Sequence, residues 1–142
     1  GGMRTAVVFV PEKNRDKLMD VSKGLARGIE SQGHQVDLVD GGRDVTTKLT
    51  VYQYVAIGTE VTSFFGGKIP PSVGEFLSQA GIVGGKRCFA FVLKKPIGGT
   101  KGLQTLMKKM EGEGMFLKYS EVLSTPEEAE EIGKRLNIES PV

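Results

Sequence analysis

The fold is indicated first by the stretch Thr5-Ala6-Val7-Val8-Phe9-Val10, near the start of the chain, together with the helical pattern after it. This run is almost continuously apolar and rich in valine, as expected for a central parallel strand that is buried on both faces. A helix is predicted next, from about Asn14 to Gln32, with Gly33 as its stop signal. Its apolar residues recur at helical spacing: Leu18, Val21, Leu25 and Ile29. A strand followed by a long helix returns the chain for another parallel strand.

Strand-like runs and helical segments continue to alternate along the rest of the chain. Four further strands are predicted, at Val36–Val39, Tyr54–Ile57, Cys88–Leu93 and Phe116–Leu123. A weak, short helix is expected around Asp44–Thr50, between the second and third strands. The alternation predicts a three-layer α/β sandwich, in which helices cover both faces of a five-stranded parallel sheet.

Proline, glycine and capping residues mark the remaining helices. Pro70-Pro71 opens a helix that ends at Gly81, because proline is tolerated in the first helical turn. The last helix starts with Ser124 or Thr125 as its cap and Pro126 in its first turn. The apolar faces of the three helices after the third, fourth and fifth strands are Val73, Phe76, Leu77 and Ala80, then Leu103, Leu106, Met107 and Met110, then Ala129, Ile132 and Leu136.

The bulk composition is that of an ordinary globular domain. The chain has 142 residues, of which 39% are hydrophobic and 25% are charged. We predict a single domain over residues 3–142, with Gly1 and Gly2 as an expression scar. No apolar run approaches the length of a membrane helix and no signal peptide is recognisable, so a cytoplasmic location is expected.

The residue types that most enzymes use are scarce. Cys88, the one cysteine, lies in an apolar run and is predicted to be a buried strand residue. His34, the one histidine, is predicted to be a surface residue in the turn before the second strand. One cysteine and one histidine support neither a zinc site nor Cys–His catalysis, and the chain has no Gly-x-Ser-x-Gly elbow. We predict no catalytic residue and no metal ligand.

Four segments resemble the flavodoxin family, and together they extend the likeness from Arg4 to Leu136. They are Thr5-Ala6-Val7-Val8-Phe9-Val10 with its helix, Gly33-His34-Gln35-Val36-Asp37-Leu38-Val39-Asp40, Tyr54-Val55-Ala56-Ile57-Gly58-Thr59 with the later Ile69-Pro70-Pro71, and Gly84-Gly85-Lys86-Arg87-Cys88-Phe89-Ala90-Phe91-Val92. The resemblance implies the strand order 2-1-3-4-5, with ligands beyond the carboxyl ends of strands one and three. It also implies bound FMN, whose phosphate the family cradles in the loop after strand one and whose ring it flanks with the loops after strands three and four.

The loop after strand one, Pro11–Asp16, departs from the family's phosphate loop, which is rich in Ser, Thr and Gly. It contains no hydroxyl and no glycine, while its proline removes an N–H donor and its glutamate adds a repelling charge. Lys13, Asn14 and Arg15 are candidate phosphate ligands through their charge and side-chain donors. The alternative is a solvated helix start with Asn14 or Asp16 as its cap.

The loop after strand three, Gly58–Lys68, carries paired aromatic residues between hydroxyls and glycines. Phe64 and Phe65 are candidates to stack on a planar ring, and the alternative is that one or both pack under the loop as a small apolar cluster. Hydroxyl residues of the same loop are candidate replacements for those that the first loop lacks: Thr59, Thr62 and Ser63.

The loop after strand four, Lys94–Gly102, places Gly98, Gly99 and Thr100 directly before a helix, a weak analogue of an anion-binding turn. If flavin is bound, Lys94 and the backbone as far as Gly99 are expected to line the edge of its ring. A plain strand–helix turn is the alternative. The spacing of a nucleotide triphosphatase loop is absent.

The predicted rim of the site is basic. Eight cationic residues stand against five acidic ones: Lys13, Arg15, Lys17, Arg43, Lys68, Lys94, Lys95 and Lys101 against Glu12, Asp16, Asp40, Asp44 and Glu60. The net charge of +2 and pI of 8.7 contrast with the acidic flavodoxins that shuttle electrons, and favour anionic ligands or partners. The charge is too small, and too poorly interleaved with aromatics, to predict nucleic-acid binding.

The sequence is consistent with three functions. The first is a divergent flavodoxin-like protein that binds FMN and transfers electrons, with a redox partner. The second is a flavodoxin-like domain that has lost flavin binding and serves as a module for an anionic small molecule or a protein partner, with a homo-oligomer left open. The third is an oxidoreductase that uses flavin on a bound substrate.

Overall fold

The computed structural model describes residues 2–139, in which five strands form one parallel sheet of order β2-β1-β3-β4-β5 with four helices. Gly1, which is part of the predicted expression scar, lies outside the described residues. So do residues 140–142, the end of the predicted domain. In chain order the elements are β1 (Arg4–Val10), α1 (Arg15–Glu30), β2 (Gln35–Asp40), β3 (Tyr54–Thr59), α2 (Ser72–Ser78), β4 (Arg87–Leu93), α3 (Gly99–Gly112), β5 (Phe116–Leu123) and α4 (Pro126–Arg135).

The predicted sheet and its strand order are confirmed. β1 is an interior strand, with Val7 opposite Leu38 of β2 on one side and opposite Ala56 of β3 on the other. The apolar run that predicts β1 is buried from Thr5 to Val10, because helices cover both faces of the sheet.

Two apolar cores lie on the opposite faces of the sheet. Successive β1 residues enter different cores, since neighbouring strand side chains point to opposite faces. Val8 packs in the core that contains Phe76 of α2 and Leu106 of α3, whereas Val7 packs with Leu25 of α1 and Ala129 of α4. Cys88, as predicted, is a buried strand residue. No helix within residues 2–139 is long and apolar enough to cross a membrane.

The prediction of a short helix around Asp44–Thr50 is wrong, since this segment forms turns. The Asp40 carboxylate accepts hydrogen bonds from the backbone N–H groups of Gly42 and Arg43, at 3.0 and 3.2 Å, which stabilises a turn directly after β2. Only Leu49 is buried in this stretch, so the segment has no apolar face that helix formation would bury.

The interpretation of His34 as a surface residue is also wrong. It does lie in the turn before β2, but it is only 5% exposed. Its Nδ1 accepts a hydrogen bond from the backbone N–H of Met3 at 3.0 Å, and Gln35 donates its N–H to the Met3 carbonyl. Met3, the residue before β1, therefore pairs with this turn beside the buried imidazole.

Candidate ligand site at the carboxyl end of the sheet

Three loops meet at one edge of the sheet because the carboxyl ends of parallel strands lie together. They come after β1 (residues 11–14), β3 (residues 60–71) and β4 (residues 94–98). This edge is the place where the strand order predicts a ligand.

The loop after β1 is organised around the side chain of Glu60, which directly follows β3. One carboxylate oxygen, Oε2, accepts three backbone hydrogen bonds, from Glu12 at 2.8 Å, Lys13 at 3.2 Å and Asn14 at 3.0 Å. The other, Oε1, accepts a hydrogen bond from Nδ2 of Asn14 at 3.1 Å. The N–H groups of this loop therefore converge on an anion that the chain itself supplies.

The environment of Glu60 keeps its side chain ionised. Burial is the largest influence and raises the pKa, since the residue is only 2% exposed. The hydrogen bonds from Glu12, Asn14 and Lys13 outweigh burial together, and the pKa of the carboxyl is lowered from its ordinary value. A buried carboxylate with four donors is electrostatically satisfied.

Several predicted ligands of a phosphate have partners within the protein. The buried hydroxyl of Thr59 donates to the Val10 carbonyl at 2.6 Å. The Ser63 hydroxyl donates to the carbonyl of Phe65 at 2.6 Å, and Arg15 forms an ion pair with Asp40. A groove lies between the loops after β3 and β4. Three further candidates, from the loops after β1 and β3, do not line it: Lys13, Asn14 and Thr62.

That groove has a volume of about 500 Å³. Six of the predicted site residues line it: Phe64, Phe65, Lys94, Gly98, Gly99 and Thr100. Three more belong to the backbone run predicted to line the ring edge: Lys95, Pro96 and Ile97. The structure adds Gly66, Lys101 and Val122. Phe64 and Phe65 are 72% and 81% exposed, so the alternative in which both pack under the loop does not hold.

Glycines bring the loop after β3 into contact with the first turn of α3. Gly67 has a φ of +62°, and a Cβ there would lie 2.6 Å from the backbone of Lys101. A Cβ at Gly102 would lie 2.2 Å from the side chain of Val61. Larger residues would push the loop after β3 away from α3 and widen the groove.

The groove is basic and contains no carboxylate among its lining residues. Lys95 donates from Nζ to the Val61 carbonyl at 2.9 Å, which holds the loop after β4 against the loop after β3. Lys94 and Lys101 are exposed and form no ion pair with any residue of the described range 2–139. Two cations are thus available to an anionic ligand.

Comparisons with solved structures identify the architecture. The oxidised flavodoxin 1 of Bacillus cereus superposes with a TM-score of 0.70, at 15% identity, over 94% of this chain and 99% of its own. This chain has a flavodoxin-like fold. A flavodoxin from the domain Archaea (TM-score 0.65, 16% identity, 91% of this chain and 94% of its own) is also similar. So is a flavodoxin, WrbA-like protein from Agrobacterium tumefaciens (TM-score 0.63, 17% identity, 94% of each chain).

At these identities the likeness shows the fold alone. No protein-family model and no curated protein matches the sequence. What this flavodoxin-like chain binds must therefore be argued from its own residues.

The residues fit only part of an FMN molecule. The groove offers exposed aromatic rings for a planar group, but the N–H groups of the loop after β1 already bind Glu60. A phosphate at that loop would meet a buried carboxylate in place of free donors. The sequence indicates Glu60 only as a charge of the rim and does not reveal its contact with this loop. An acid directly after a buried strand, opposite a loop without hydroxyls, was the available signal.

Proposed function

We propose that this chain is a flavodoxin-like binding module, and that its ligand is an anion with a flat apolar part. The groove between Phe64–Gly66 and Lys94–Lys101 would hold this ligand. The observation that supports the proposal is the lining itself, which combines two exposed phenylalanine rings with Lys94 and Lys101 and contains no carboxylate.

The chemistry of the groove divides between its two walls. Phe64 and Phe65 supply ring faces on which a planar group stacks and so leaves water. Lys94 and Lys101 supply positive charge at the opposite wall, next to the first turn of α3, where the helix dipole also favours an anion. A ligand with both features would satisfy both walls together.

Calorimetric titration with matched probes tests the proposal. FMN and riboflavin differ only by a phosphate, as do AMP and adenosine. The phosphorylated member of each pair should bind more tightly, and the double variant Lys94→Gln, Lys101→Gln should reduce that preference about fivefold or more. Raising the salt concentration should have the same effect, since both lysines are exposed.

Two further variants separate stacking from charge. Phe64→Ala with Phe65→Ala should weaken both members of each pair equally. Lys23→Gln removes an exposed lysine of α1 and should change neither. Equal affinity for the phosphorylated and unphosphorylated probes, unchanged by the lysine variants, would contradict the proposal.

FMN-dependent electron transfer is the second candidate, and the position of Phe64 and Phe65 beside the groove favours it. Flavodoxins flank the flavin ring with this loop, so a flavin held mainly by its ring is consistent with the groove. The ring would supply the redox chemistry, while the two phenylalanines would stack on it and exclude water. The visible absorption spectrum of freshly purified protein tests this directly. Colourless protein without a thermal shift in excess FMN would exclude it.

A further inference from the structure

The loop after β1 has the geometry of an anion-binding site. Its three successive N–H groups, from Glu12 to Asn14, point at a single oxygen at distances of 2.8 to 3.2 Å. Such runs of convergent N–H groups bind phosphate and other oxyanions in many proteins. Here the oxygen belongs to Glu60, a residue 46 to 48 positions away along the chain.

We propose that Glu60 is an internal anion that fills this site, and that its removal exposes a site for inorganic phosphate or a phosphate monoester. The residue thereby determines specificity, because it prevents the first loop of the fold from recognising a phosphate. The proposal concerns a different loop from the groove and does not depend on the proposed function.

Glu60 is firmly held in this position. Its neighbours Thr59 and Val61 are both buried, and the Thr59 hydroxyl is hydrogen-bonded across to β1. If a phosphate displaced the carboxylate, Glu60 would remain buried beside the incoming charge without its four donors. The internal carboxylate is also always present beside the loop, at an effective concentration that a free anion does not reach.

The positive charge that a phosphate dianion needs supports the same conclusion. A phosphate dianion needs several donors or cations, and the side chain of Arg15, the nearest helix-start cation, is already paired with Asp40. Lys13 is exposed, and its backbone N–H is one of the three that bind Glu60. The native loop therefore satisfies one negative charge and leaves none of these three N–H groups free for a second anion.

The test compares wild type with Glu60→Ala and Glu60→Gln, and uses Glu12→Ala as the control. Glu12 is an exposed acid of the same loop, so its removal changes the local charge and leaves the internal carboxylate in place. Melting temperatures are measured with sodium phosphate and with sodium chloride at equal ionic strength. Without phosphate, Glu60→Ala should melt below wild type, because three N–H groups lose their acceptor.

Phosphate should then raise the melting temperature of Glu60→Ala by about 3–6 °C relative to chloride, once the phosphate concentration is about tenfold above its dissociation constant. Wild type and Glu12→Ala should show no such difference. An equal phosphate effect on wild type would overturn the proposal. So would a Glu60→Ala protein that is indifferent to phosphate.

A second measurement covers the case in which Glu60→Ala fails to fold. Glu60→Gln keeps an acceptor oxygen, so it should fold. Its neutral amide binds the three N–H groups less strongly than the carboxylate and does not repel a phosphate, so phosphate can displace it. In ¹H–¹⁵N spectra, phosphate should shift the amide resonances of Glu12, Lys13 and Asn14 in this variant and leave those of wild type unchanged. Shifts of these amides in wild type, or only of groove residues in Glu60→Gln, would overturn the proposal.

Discussion

The carboxylate of Glu60 connects the end of β3 to the start of α1, and this contact should depend on pH. Its pKa is lowered in the folded protein, although burial alone would raise it, because backbone N–H groups bind the charged form. In the unfolded chain the value returns to about 4.5. Below that value the unfolded state binds more protons than the folded state, so stability falls as the pH falls.

We expect wild type to lose stability through this contact as the pH is lowered from about 5 through the folded pKa of Glu60, with the full contribution present at neutral pH. Glu60→Gln should lose less stability over the same range, because it has no proton to take up. Urea unfolding at a series of pH values measures both. Glu12→Gln, which alters an exposed acid, should follow wild type, and parallel curves for wild type and Glu60→Gln would contradict this account.

Between elements, α1 and α4 approach each other closely, and glycines face backbone there. A Cβ at Gly28 would lie 2.1 Å from the carbonyl oxygen of Glu130, and one at Gly133 would lie 2.5 Å from that of Leu25. Gly28→Ala should therefore force the helices apart and cost about 1–3 kcal/mol of unfolding free energy. Chemical denaturation measures the change.

Gly74 of α2 provides the matched control for that substitution. A Cβ there would meet only the Nζ of Lys109, at 3.8 Å, which is ordinary contact with a flexible side chain. Gly74→Ala should stabilise the protein by about 0.5–1 kcal/mol, because alanine is the better helix former. If both substitutions had the same sign, close helix packing would not explain the glycine at position 28.

The start of α4 depends on a cap that the sequence predicts well. The side chain of Thr125 accepts a hydrogen bond from the N–H of Glu128 at 3.1 Å, and Pro126 occupies the first turn. Thr125→Ala should cost about 1 kcal/mol and lower the melting temperature by about 3–5 °C. Thr46→Ala, at an exposed turn residue, should change it by less than about 2 °C.

Across the whole chain, what could be predicted from sequence depends on whether the signal is local. β1, β3 and β4 are predictable because buried parallel strands are apolar at consecutive positions. Phe64 and Phe65 are recognisable as groove residues because exposed aromatics in a loop are unusual. The role of Glu60 depends on a contact 46 to 48 residues away along the chain, so the acid directly after a buried strand gives only an incomplete local signal.

The burial of the one cysteine allows cooperative unfolding of the protein to be measured chemically. Cys88 is inaccessible in β4, an interior strand of the sheet, and burial, with a smaller contribution from Glu111, raises its pKa to about 12. Because the thiolate is the reactive form, attack by a disulfide reagent at pH 8 should be at least about a hundredfold slower than for glutathione. It should accelerate in urea with the midpoint seen by circular dichroism, since only global opening exposes this strand. Fast labelling in native buffer would mean that β4 opens locally, which the two cores packed on its faces oppose.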